Sequence, residues 1–81
     1  MDIETGLVVR AKSGRDKGRF FVVISLDGEY AYIVDGKTRR LEKPKRKNLK
    51  HLFATNTVIP TDSLKTNRLI KAELRDFNAK A

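Results

Sequence analysis

Guanidinium and ammonium groups crowd into two short stretches of this 81-residue chain. Between Arg10 and Arg19 stand five basic residues (Arg10, Lys12, Arg15, Lys17 and Arg19) against one acid, Asp16. Between Lys37 and Lys50 stand eight, including Arg39, Arg40, Lys43, Lys45, Arg46, Lys47 and Lys50, against one acid, Glu42. The rest of the chain carries five basic and eight acidic residues, so the net charge of +8 belongs to these two segments. Arginine offers phosphate oxygens a planar fork and lysine a mobile point charge. A polyanion is the partner that such a distribution attracts. Within the first segment, Ser13-Gly14-Arg15-Asp16-Lys17-Gly18 is a polar loop with Gly14 and Gly18 at its ends. Glycines there remove side-chain bulk and would let a phosphate approach backbone N–H groups. His51 closes the second segment, where a histidine either packs and hydrogen-bonds or stacks on a base.

Other chemistries find little material. With no cysteine there is no disulfide, thiolate metal site or sulfur nucleophile. One histidine and isolated acids make no metal set, and Ser13, Ser25 and Ser63 have only His51 as a candidate base. Neither a Walker pattern nor a dinucleotide fingerprint is present. We therefore expect neither an enzyme nor a cofactor, and no small-molecule substrate.

The elements that must position the basic groups follow from periodicity. Leu7 to Lys12 alternates, with Leu7, Val9 and Ala11 on one side and Val8, Arg10 and Lys12 on the other, as in a half-buried strand. Arg19 to Leu26 is apolar on both faces and should be central. Asp27-Gly28 and Asp35-Gly36 are hairpin-turn signals on either side of a strand over Tyr30 to Val34. A short strand is expected over Thr38 to Glu42, then an exposed loop or edge around Pro44, where Lys43 to Lys47 also discourages edge pairing. Asn48 to Thr57 carries the closing strand. Tyr30, Tyr32 and Phe53 read as core or barrel-rim residues sooner than as stacking platforms, although exposed aromatics beside cations do serve single-stranded RNA. After Pro60, the start of a helix is left open among Asp62, Ser63, Thr66 and Asn67. Ile70, Leu74 and Phe77 then form an i, i+4, i+7 stripe on a helix from about Asn67 to Asn78, which must lie on another surface to be stable.

Eighty-one residues make one domain, burying roughly 60% of its unfolded surface. At 40% hydrophobic and 35% charged, it is too apolar to be wholly disordered. The acidic start, Met1 to Glu4, does not resemble a secretory signal. The longest apolar run, Phe20 to Ile24, is far shorter than the ~20 residues that span a bilayer. A cytoplasmic protein is expected, with no membrane partner. The pattern is mainly β: four to five short strands in a small barrel over residues 1–59, and a helical extension over 60–81 packed on it.

Gly6-Leu7-Val8-Val9, then Gly14-Arg15-Asp16-Lys17-Gly18-Arg19, then the apolar strand, resembles the KOW motif of large-subunit ribosomal proteins and NusG-type transcription factors. Asp35-Gly36, Arg39-Arg40-Leu41 and Asn48-Leu49-Lys50-His51-Leu52 are similar to the KOW ribosomal family called fourteen-e. The whole is most similar to the small bacterial KOW domain-containing RNA-binding proteins, over residues 4–58. Phe20 and Phe21 stand where many KOW motifs have another glycine, and the final helix lies outside the motif. The resemblance implies an SH3-like barrel that binds RNA, ribosomal RNA above all. Its contacts would come from both basic segments, from Arg10 to Arg19 and from Arg39 to His51, and ribosomal proteins are possible neighbours. Two other readings stay open: an SH3-like protein-interaction module linking transcription and translation machinery, and a nonspecific DNA-binding protein.

Overall fold

The fold begins from a run of valines that face both ways. In the computed structural model, which describes residues 2–79, five strands and one helix follow in order. They are β1 (Leu7–Ala11), β2 (Phe20–Asp27), β3 (Tyr30–Val34), β4 (Lys45–Asn48), β5 (Leu52–Val58) and α1 (Asn67–Ala79). Short 3-10 turns occupy Leu49–His51 and Thr61–Leu64. The strands form one antiparallel sheet in the order β4-β3-β2-β1-β5, with β2 in the centre as its two apolar faces require. No helix among the described residues is long and apolar enough to cross a membrane.

The sheet is open, with β4 and β5 as its edges, yet it bends sharply. Asn48 ends one edge strand and Leu52 begins the other. Four residues reach at most about 14 Å, whereas the edges of a flat five-stranded sheet stand about 19 Å apart. The connection is possible only because the sheet curls. Its inner face buries Leu7, Val9, Phe21, Val23, Ala31 and Ile33, joined by Leu52 from β5. Its outer face carries the row Val8, Val22 and Val34, paired across β1, β2 and β3. Ile70 and Leu74 of α1 close over this row, with Phe77 half-buried at the end. Each such fully buried side chain contributes roughly 1.5–3 kcal/mol, which holds a helix too short to persist alone.

Three local expectations change. The β2–β3 turn is Gly28-Glu29, not Asp27-Gly28, because Asp27 pairs with Tyr30. Only Gly28 has positive φ there, the pattern of a type II′ turn. Thr38 to Glu42 is not a strand, and the fourth strand lies inside the charge run expected as loop or edge, at Lys45–Asn48. Asp35 is the reason. Its carboxylate accepts the N–H groups of Lys37 (2.9 Å) and Arg39 (2.7 Å) and the Thr38 hydroxyl (2.7 Å), which coils the chain where a two-residue turn was expected. The Leu41 N–H then goes to Asn67 Oδ1 at 2.8 Å, leaving no ladder for a strand to join. The closing strand begins later than expected, at Leu52, after the 3-10 turn.

Of the four candidate helix caps, Thr66 takes the role, its hydroxyl accepting the Leu69 N–H at 3.1 Å. The other end is tied by Asn78, whose amide accepts the Phe20 N–H (2.9 Å) and donates to the Phe20 carbonyl (3.2 Å). Gly36 lies under the first turn of α1 with φ of 78°. A Cβ there would collide with the Asn67 carbonyl oxygen and stand 3.0 Å from the Lys71 nitrogen. Gly36→Ala should therefore cost at least about 2 kcal/mol, since clash and backbone strain add. Urea unfolding of the two proteins measures it.

Candidate nucleic-acid interface

The basic loop between β1 and β2 is closed at its base by paired backbone bonds. The Ala11 N–H donates to the Arg19 carbonyl at 3.0 Å and the Gly18 N–H to the Ala11 carbonyl at 2.9 Å. The closure of the hairpin thus uses the Gly18 N–H, which is not among the backbone donors a phosphate could approach. The second basic segment reaches this loop from β4. Lys47 Nζ donates to the Ser13 carbonyl at 2.9 Å, and a side chain at Gly14 would stand 3.3 Å from that same nitrogen. At the other end, a side chain at Gly18 would meet the Arg10 guanidinium at 3.9 Å. The loop is bracketed by Lys47 and Arg10, with Arg15 and Lys17 exposed on it. Segments about 30 residues apart in sequence meet here because the sheet curls.

Three arginines lie beside acids, Arg19 and Arg39 against buried carboxylates and Arg40 on the surface. Arg39 bonds Asp16 at 3.0 Å, an acid whose side chain is only 9% exposed, so this pair docks one basic segment on the other. Arg19 lies 3.6 Å from Asp35. Arg40 bonds the Glu42 carboxylate at 3.2 Å, and the other oxygen of Glu42 accepts from Asn67 at 2.6 Å. Hydrogen bonds from Asn67 and then Arg40 pull the Glu42 carboxyl below its ordinary value. These three arginines, counted among the candidate contacts, each have a carboxylate partner that offsets part of their charge. Among the described residues, Arg10, Lys12, Arg15, Lys17, Lys43, Lys45, Arg46, Lys47 and Lys50 have no carboxylate within salt-bridge distance.

Strand alternation sorts these cations by face. Lys45 and Lys47 pair with Ile33 and Ala31, so they share the inner face and are half-buried, with Lys47 reaching the Ser13 carbonyl. Arg46 pairs with Tyr32 and lies on the outer face, its guanidinium 4.5 Å from the Tyr30 ring. Arg10 also takes the outer face, but on β1 near the opposite edge, and Lys12 follows just past the end of that strand. Arg10 pairs with both Phe20 and Phe53, forming a row across β2, β1 and β5. Lys12 Nζ stands 4.4 Å from the Phe53 ring, and Phe53 is 52% exposed. Arg46 is thus set apart from the loop cluster. Lys43 and Lys50 are exposed beyond it, and half-buried His51 accepts the Lys12 N–H through its carbonyl at 2.8 Å.

Phe53, read as core or rim, is a surface aromatic beside a cation. Once β5 is seen to start at Leu52 pointing inward, Phe53 must point outward, so a correct strand start was the missing signal. The basic residues Arg68, Lys71 and Arg75 of α1 lie beside its apolar stripe, which is the stronger periodic signal in that segment. No family model matches the chain, and no curated protein matches it.

Burial raises the Asp35 carboxyl, but the N–H groups of Arg39 and Lys37, the Thr38 hydroxyl and the nearby Arg19 outweigh it, leaving the group below its ordinary value. A carboxylate lowered by folding stabilises the native state above its unfolded pKa, and that contribution is lost as pH falls through the folded value. Wild type should therefore lose stability progressively below about pH 4. Asp35→Asn should be less stable by about 1–3 kcal/mol at pH 7, and the gap should narrow in acid. Thermal melts from pH 7 to pH 3 read the difference.

Proposed function

We propose that this chain is an RNA-binding module that holds the sugar-phosphate backbone on the surface formed by its two basic segments. The curled sheet is read as an SH3-like barrel of the KOW type, acting in the cytoplasm in association with ribosomal RNA or the translation machinery, without catalysis. The observation that carries the reading is the hydrogen bond from Lys47 to the Ser13 carbonyl. It fuses two stretches of net positive charge into one rim around a glycine-bounded loop. Arg10, Arg15, Lys17 and Lys47 supply that rim with charge that no carboxylate among the described residues pairs with. Contacts of this kind fix position along a backbone more than they read sequence. RNA is preferred to DNA because the resemblance is to RNA-binding families; the charge alone attracts either.

Each phosphate neutralised releases condensed counterions. With about six contacts, log affinity for ribosomal RNA fragments should fall against log salt with a slope of roughly −4 to −5. Replacing Arg15 and Lys17 by glutamine should make the slope shallower by about 1.4–1.8. Arg40→Gln removes the same kind of charge but from a group already paired with Glu42, and should change the slope much less. A flat salt dependence, or an Arg40 effect as large as that of Arg15, would sink the proposal. Competition by duplex DNA at fixed salt decides between the two nucleic acids.

A further inference from the structure

Helix α1 has a second pattern besides its apolar stripe. At 100° per residue, Arg68, Lys71 and Arg75 fall together on one flank of the stripe, while Glu73 and Asp76 fall on the other. The basic flank forms one wall of a cleft of about 430 Å³. The facing wall is the start of β2 and the loop after β3, with Arg19, Asp35 and Lys37. Exposed Ala72 and Ala79 also line it, and buried Leu74 backs it. Five cations therefore converge on one concavity whose single carboxylate, Asp35, is already taken by three hydrogen bonds and Arg19. Among the described residues, Lys37, Arg68, Lys71 and Arg75 have no carboxylate within salt-bridge distance. The buried Nε–H of Arg19 likewise has no acceptor among them. Like charges gathered in a concave site repel one another and concentrate counter-anions.

We propose that this cleft is a nucleotide-phosphate site separate from the loop surface: Lys37, Arg68, Lys71 and Arg75 hold phosphate oxygens, and the sugar and base lie against the exposed Ala72 and Ala79. The volume lies within the range of pockets that enclose small ligands, about 300–1,000 Å³, and suits one nucleotide. The phosphates belong either to a free nucleoside diphosphate or triphosphate or to the phosphorylated end of an RNA strand; the recognition chemistry is shared.

The test is titration of the ¹⁵N-labelled full chain with ADP and GDP, and separately with a short RNA bearing either a 5′-triphosphate or a 5′-hydroxyl. Saturable shifts of the Lys37, Lys71 and Asn78 amides with the free nucleotides would assign the site to them. The same shifts only with the triphosphorylated RNA would assign it to RNA ends. Arg68→Glu with Arg75→Glu should weaken either interaction at least tenfold, and Lys37→Gln, on the opposite wall, should weaken it in the same direction. The Arg15, Lys17 glutamine variant should leave nucleotide binding unchanged, so the two surfaces fail or stand independently. Absence of saturable shifts at these amides with every ligand, or unaltered affinity in variants that melt as wild type, overturns the proposal.

Discussion

Asp35 holds a carboxylate out of water at 2% exposure, and the course of the chain around it depends on how that charge is satisfied. An ionised acid in such a place must be surrounded by donors. The nearest available are the N–H groups and hydroxyl of the residues that follow, so the chain coils back over the carboxylate. The coil brings Arg39 to Asp16 of the β1–β2 loop and lays Gly36 beneath the first turn of α1. It also leads Leu41 to the Asn67 side chain. One buried charge thus ties together the sheet, the helix and both basic segments. This loop is where a hairpin was expected, and its different shape explains why the fourth strand forms later.

The acids within the basic region are few and well placed. Asp16 and Asp35 are buried and Glu42 is bridged to the helix, and each engages an arginine that would otherwise add to the mutual repulsion of the surface. The arrangement sorts the cations into two classes. Arginines near acids become structural, using their several fixed donors to join segments. The lysines mostly remain toward solvent, and the half-buried ones lay their aliphatic stems along the β4 edge. That edge is therefore apolar along its stems and charged at its tips, which disfavours pairing with another strand.

Much of the architecture was legible in the sequence, for reasons that can be named. The alternation of Leu7 to Ala11 and the two-faced run Phe20 to Ile24 located β1 and the central strand, because burial at period 2 leaves no other arrangement for those side chains. The i, i+4, i+7 stripe located α1 nearly to the residue. Whatever depended on side-chain hydrogen bonds between distant segments was not legible. The Asp35 coil is invisible to a turn rule that sees only Asp-Gly, and the ion pair between Arg39 and Asp16 spans 23 positions. Charge counting located the basic rim but could not tell that Arg19, Arg39 and Arg40 would be drawn to carboxylates. Nor could it see that Arg68, Lys71 and Arg75 would face Lys37 across a cleft.

The double hydrogen bond from Asn78 to both backbone groups of Phe20 has a consequence for how the molecule comes apart. Phe20 lies beyond the end of β3, and the Asn78 amide occupies the place where a neighbouring strand's peptide would sit. With Asn67 gripping Leu41 and Glu42 at the other end, α1 is pinned at one extremity to β2 and at the other to the loop between β3 and β4. The helix cannot peel away as an independent foldon without uncovering the valine row and freeing strand amides together. Slow amide exchange in the centre of β2 and in α1 should therefore report a single cooperative opening.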